Sequence, residues 1–259
     1  MGKDSKIEWT HHTFNPWWGC ARASTGCANC YAEIWAKRVG AHLWGKEAPR
    51  RFFGDNHWRN PMKWQANAEQ QQQRQRVFCA SMADVFEARS DLDPWRARLW
   101  TLIEQTPDLD WLLVSKRPEE ITNMVPWGNN WPNNLWLGTT VETQDWAEKR
   151  LEAILSAPAR IHFVSCEPLL GPLDLKPWLG TGQIDWVIVG GESGAKARPM
   201  EPAWAEDLYQ QCLDKNTFFF FKQWGTFGAD GIKRGKKANG KSLVGREIQD
   251  LPVQACIAT

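Results

Sequence analysis

Six apolar runs of strand length recur along this chain and constrain its fold more than any other feature: residues 76–80, 111–115, 135–139, 160–165, 186–190 and 218–221. Most are separated by stretches of helical character, at 94–104, 118–124, 143–155 and 202–213. A strand that is apolar throughout, rather than at every second residue, needs burial on both faces. Parallel sheets covered by crossover helices provide that burial. With residues 7–18 as a first strand, the pattern predicts an α/β fold built on a parallel (β/α) barrel of the TIM type, closed or partial, with about six to seven strands. A doubly wound open sheet is the alternative. Residues 1–225 read as one catalytic-type domain carrying an N-terminal cysteine loop. Residues 226–259 read as a basic mobile loop and C-terminal extension, in which 243–248 return as a short strand.

Parallel α/β folds build their sites at the carboxyl ends of strands. Polar residues follow almost every run: Ser81, Asp84 and Glu87; Ser115, Lys116 and Arg117; Thr139, Thr140 and Glu142; Ser165 and Glu167; Glu192 and Ser193; Lys222 and Gln223. Singly, each is an ordinary solvated residue or helix cap; their recurrence points to a shared site. Gly190-Gly191-Glu192-Ser193-Gly194 adds a glycine pair directly after a strand, where backbone can approach a ligand or simply turn tightly. It is neither a dinucleotide fingerprint nor a P-loop.

The N-terminal stretch Asn15-Pro-Trp-Trp-Gly-Cys20-Ala-Arg-Ala-Ser-Thr-Gly-Cys27-Ala-Asn-Cys30 places three cysteines in C-x6-C-x2-C spacing. Three is odd for disulfides and one short of a structural zinc site. It suits an iron–sulfur cluster that leaves one iron open to a small molecule, since thiolates are the usual cluster ligands. Gly19 and Gly26 each precede a cysteine and let the backbone bend. From Cys27 the sequence reads as a helix ending at Gly40, which puts Cys27 and Cys30 on one face. Two other readings stay open: a zinc site completed by His11, His12 or His57, and three unrelated core cysteines.

The run Asn-Pro-Trp-Trp-Gly-Cys-x6-Cys-x2-Cys-Tyr-Ala resembles the signature of a largely uncharacterised bacteriophage and bacterial family of three-cysteine-motif proteins, similar to radical S-adenosylmethionine (SAM) enzymes. The resemblance extends through 79–87, 114–118, 137–142, 165–169, 190–194 and 221–225. Its first cysteine gap is six residues, against three in the commoner radical SAM motif. It implies a [4Fe-4S] cluster on Cys20, Cys27 and Cys30, with SAM on the open iron. The cofactor-binding residues expected are Asp84, Arg117, Gly190, Gly191 and Glu192, and the catalytic residues Glu142, Glu167 and Lys116. Gly190-Gly191-Glu192 looks like the motif that grips the SAM amine, placed after a late strand instead of an early one. The implied activity is reductive cleavage of SAM to modify a nucleic acid or nucleotide, with an external electron donor. The alternative function is a zinc- or cluster-bearing nucleic-acid-binding protein without SAM chemistry.

Composition sets the remaining bounds. Net charge is +1, so the protein as a whole is not a polyanion binder. No apolar stretch approaches the roughly 20 residues of a membrane span, and the N-terminus lacks a signal-type apolar region. Seven cysteines, three of them expected as ligands, suit a reducing, cytoplasmic setting. The 18 tryptophans read mainly as core filler and loop anchors, with base stacking as the functional alternative. Residues 226–241 are rich in glycine and lysine and lack a buried face, as in a solvated loop or a phosphate contact.

Overall fold

The computed structural model describes residues 5, 7–180 and 182–252; Cys256 lies outside them. The strands in chain order are β1 (His12–Thr13), β2 (Trp17–Trp18), β3 (Arg51–Phe52), β4 (Gln75–Cys79), β5 (Leu109–Ser115), β6 (Leu135–Thr140), β7 (Ile161–Cys166), β8 (Trp186–Gly190), β9 (Phe218–Gln223), β10 (Ser242–Leu243) and β11 (Arg246–Glu247). The helices are α1 (Tyr31–Arg38), α2 (Asp55–Trp58), α3 (Asn60–Gln71), α4 (Asp93–Glu104), α5 (Ile121–Met124), α6 (Gln144–Leu155), α7 (Pro202–Asp214) and α8 (Lys236–Asn239).

Seven strands form one sheet in the order β1-β4-β5-β6-β7-β8-β9. The order never reverses, so there is no switch point of the kind a doubly wound sheet requires. This is the winding of a partial (β/α) barrel, with β1 and β9 as the sheet's edges. The strand registers are parallel, as in Val77 opposite Trp111 and Val187 opposite Phe219. The apolar runs are buried as their composition requires: Leu112, Leu113, Leu135, Leu137, Phe163, Val164, Val187 and Val189 have no exposed surface. Helices α3, α4 and α7 each carry proline in the first turn, where its missing N–H costs no hydrogen bond.

Three expectations change. Residues 7–18 are not one strand: β1 pairs with β4, whereas β2 pairs antiparallel with β3. Pro16 falls between them and cannot donate to a ladder. The helix expected from Cys27 begins at Tyr31. Thr25–Cys27 form a 3-10 turn and Cys30 caps the helix in a non-helical conformation, so Cys27 and Cys30 do not share a helical face. The C-terminal strand at 243–248 is a hairpin of β10 and β11.

The chain divides into two units, Met1–Thr140 with Glu148–Ile161, and Val141–Ala147 with His162–Thr259. The core of the first includes Phe14, Trp58 and Trp111, with Phe14 meeting the rings of both tryptophans edge-on. The core of the second includes Phe163, Trp186 and Phe220, again in ring contact. Most tryptophans are core residues, as composition suggests; Trp35, at 41% exposure, is an exception. No helix among the described residues is long and apolar enough to cross a membrane.

Candidate functional site

In the first unit the cysteine loop is fixed by side chains from the turns after β4 and β5. Asn15, just before the Pro-Trp-Trp run, accepts the backbone N–H of Met82 at 2.7 Å and donates to the Ser81 hydroxyl at 3.0 Å. The Gly19 amide donates to the Met82 carbonyl at 3.0 Å. Gly19 is required here for two reasons. Its φ is +115°, and a Cβ would lie 2.6 Å from the Leu43 carbonyl oxygen and 2.7 Å from Arg50 Cδ.

Asp84 is the hub of the loop. One carboxylate oxygen accepts the Ser115 hydroxyl at 2.8 Å and the Phe86 amide at 3.1 Å. The other accepts the Lys116 amide at 3.0 Å and Arg117 Nη1 at 2.9 Å. Arg117 then donates through Nη2 to the Ala21 carbonyl at 2.7 Å. A carboxylate engaged by four protein donors is a positioning group: Asp84 holds Arg117, and Arg117 holds the backbone beside Cys20. On the other flank, Arg22 reaches Glu33 of α1 at 3.2 Å, and Lys37 reaches the same carboxylate at 2.6 Å.

All three cysteines are free thiols, neither fully buried nor fully exposed. Burial pushes the Cys20 thiol up to about 12, with Asp84 adding to the rise and Arg117 opposing it. Burial also raises Cys30; the amides of Glu33 and Ala32 act against the rise, as does the Lys116 ammonium, while Cys27 adds to it. The Cys27 sulfur lies 3.5 Å from the Ala23 amide and 3.9 Å from the Ser24 hydroxyl. Electrostatically, Cys27 is felt by both other thiols. The thiols thus lie beside polar groups of Ala23 and Ser24 and near two cations, Arg117 and Lys116, that would offset thiolate charge. Metal would take the place of the thiol protons.

A single tetrahedral ion makes a different demand, with all ligands at about 2.0–2.3 Å from one point. Among the described residues no group of three or more His, Cys, Asp or Glu is placed to hold a metal ion. The histidines weighed as a fourth zinc ligand are engaged elsewhere. His11 Nδ1 accepts the Arg76 amide, His12 Nε2 meets Gln75 Oε1, and His57 Nε2 donates to the Asn15 carbonyl.

The second unit carries the other expected residues. Glu142 is fully buried, and its backbone carbonyl accepts the Leu170 amide at 2.9 Å. Both Glu167 oxygens accept Lys222 Nζ, at 2.6 and 2.8 Å. Glu192 is gripped by Arg198, whose Nε, Nη2 and backbone amide all donate to it. Sequence reading did not single out Arg198, although it stands six residues from its partner. Gly190 lies against the Glu167 side chain. A Cβ on Gly191 would sit 1.9 Å from the Trp224 carbonyl oxygen, and one on Gly225 would sit 2.3 Å from the Glu192 carbonyl oxygen. The glycine pair thus lets the turns after β8 and β9 cross backbone to backbone. Gly191→Ala is expected to cost about 1–3 kcal/mol as an overpacking change, read as a lower denaturant midpoint. An unchanged midpoint would show that the crossing yields freely.

The first unit thus gathers Cys20, Cys27, Cys30, Asp84, Lys116 and Arg117. The second gathers Glu142, Glu167, Gly190, Gly191 and Glu192. Among solved structures, the chain is similar to spore photoproduct lyase complexed with dinucleoside spore photoproduct. That match is 12% identical with a TM-score of 0.48, over 83% of this chain and 64% of the other. A double mutant of that lyase with bound AdoMet and dinucleoside spore photoproduct matches at 12% identity and a TM-score of 0.49, over 86% and 59%. The chain therefore spans less than two thirds of the length of these structures. No curated protein matches it. Residues 4–252, almost the whole chain, match the model of the family described as "Protein of unknown function (DUF5131)", and the chain belongs to that family.

Proposed function

We propose that this chain is a radical-SAM-like iron–sulfur enzyme that modifies a nucleic acid or nucleotide. The observation that carries the reading is the loop itself. Three free thiols in C-x6-C-x2-C spacing stand between β2 and α1, their surroundings fixed by the Asp84–Arg117 pair. Cys20, Cys27 and Cys30 would hold the cluster. When bound, a cluster with SAM supplies reductive cleavage of the sulfonium.

The chain's own part is to bind, orient and shield. Arg117 keeps its charge: burial acts to lower its pKa, and Asp84, Cys20 and Glu87 together more than offset that. Lys116, within electrostatic range of Cys30, is the cation assigned to the methionine carboxylate of SAM through a charge-assisted hydrogen bond. Asp84, expected as a cofactor-binding residue, takes part in this reading by holding Arg117. In the second unit Glu167 and Glu192 are ion-paired, so any amine or ribose hydroxyl they recognise is met by a carboxylate already held in place. The fully buried Glu142 lies within electrostatic reach of Arg198.

The test uses anaerobically reconstituted protein with dithionite and SAM. Release of 5′-deoxyadenosine is expected, slow in the absence of substrate. Lys116→Ala is expected to weaken SAM binding by about 1.5–3 kcal/mol, the range for a hydrogen bond to a charged group. A cluster-loaded protein that neither binds nor cleaves SAM leaves the non-enzymatic, nucleic-acid-binding alternative.

A further inference from the structure

The surface next to the cysteine loop breaks the usual pattern of a helical protein. Helix α1 buries Ala32, Glu33 and Ala36. It turns Tyr31, Ile34 and Trp35 outward at 57%, 36% and 41% exposure, and Arg38 lies on the same face at i+7 from Tyr31. Trp35 meets the edge of Trp18 at 5.0 Å. The Arg51 guanidinium lies 4.9 Å from the centre of the Trp18 ring and 5.6 Å from that of Phe53. Phe52, the next residue of β3, makes a separate contact on the other side of that strand, stacking on Trp95 at 4.5 Å with the ring planes 8° apart.

Charge interleaves with these rings. Besides the buried Arg50, which Glu87 answers, residues 31–64 hold six Lys and Arg against three Asp and Glu, a surplus of three where the whole chain has one. Two of the three acids are answered locally, Glu33 by Arg22 and Lys37, and Asp55 by Arg98. Arg38, Arg51 and Arg59 are exposed, and among the described residues no carboxylate pairs with them.

We infer that this face of the first unit is a platform for single-stranded nucleic acid. Exposed rings with arginines beside them accept base faces and phosphates together, with little demand on sequence. A duplex hides its base faces and satisfies only the cations. An acidic polypeptide likewise matches the arginines but leaves the rings without flat partners. The platform begins at Tyr31, the residue after Cys30, so a strand lying on it passes beside the cysteine loop. Its catalytic meaning rests on the enzyme reading above; binding itself needs neither cluster nor SAM.

The experiment titrates the full, metal-free chain with fluorescently labelled 12-nucleotide single strands, the matching duplex, and polyglutamate. It follows anisotropy and tryptophan quenching over a range of salt concentrations. Single strands are expected to bind more tightly than duplex and to quench tryptophan. Trp35→Ala, on an exposed side chain, is expected to weaken binding about ten-fold, within the range for one stacked base. Arg51→Gln is expected to lower the slope of log affinity against log salt by about 0.7, the loss of one single-strand phosphate contact. Lys237→Ala, in the exposed basic loop of the second unit, is expected to change nothing. Duplex or polyglutamate binding as tight as single strand, or loss through Lys237→Ala with Trp35→Ala unaffected, overturns the platform. Failure of the parent chain to take up iron on anaerobic reconstitution, with strand binding intact, overturns the enzyme and leaves the platform standing.

Discussion

After anaerobic reconstitution, Cys20→Ala, Cys27→Ala and Cys30→Ala are each expected to retain almost no iron or sulfide, while the parent chain holds about four of each. The argument is ligand count. A cluster held at three corners that loses one is exposed at two irons, and the remaining thiols cannot compensate. The other described cysteines give the contrast: Cys79, Cys166 and Cys212 are buried within the fold. Burial raises the pKa of Cys79 and of Cys166, and pushes Cys212 up to about 12. Their replacement by alanine is expected to leave iron content and colour unchanged. Stoichiometric zinc without iron in the parent chain would remove the cluster reading altogether.

Arg50→Ala is expected to destabilise the protein by about 3–5 kcal/mol, the range for breaking one side of a buried ion pair. The Arg50 side chain has no exposed surface and that of Glu87 has 5%. The pair is bidentate, with Nη2 at 2.6 Å and Nε at 3.2 Å from the two carboxylate oxygens. Arg50 also donates to the carbonyls of Leu43, Gly45 and Ala48. Its loss leaves Glu87 charged in a dry site and frees the backbone that packs under Gly19. Arg50→Lys keeps charge but not the fork and is expected to recover only part of the loss. The check is equilibrium denaturation of both variants; a stability change under 1 kcal/mol in Arg50→Ala would mean that water enters and solvates Glu87.

The parallel sheet was legible because its signal is repeated and local. Each apolar run reports its own burial, and β5 at Leu109–Ser115 or β8 at Trp186–Gly190 follows closely. The short β1 and β2 were not separable in the same way. Two residues carry no periodicity, and Pro16 was the only mark of the break. The start of α1 was misplaced because Ala, Asn and Tyr are all permissible in a first turn; the cap depends on the conformation of Cys30.

Of the site, the three cysteines announced themselves by spacing. Asp84 and Arg117 were visible as polar residues after strands, but not their pairing, which joins positions 33 residues apart. Arg50 gave no signal at all: nothing local links it to Glu87, 37 residues on. The Gly190-Gly191 pair shows the opposite risk. Its sequence suits a ligand approach and a tight turn equally, and the crossing with Trp224 and Gly225 gives Gly191 a steric reason of its own.

The Asp84–Arg117–Ala21 connection has a consequence for how the protein meets metal. In small zinc domains the unfolded apo chain must order itself as the ion arrives, and binding energy is diverted into folding. Here the strut joins the cysteine loop to turns that the parallel sheet has already shaped. A cluster of the kind proposed would then be taken up at a loop the fold already braces, and its loss is expected to leave the global denaturation midpoint nearly unchanged.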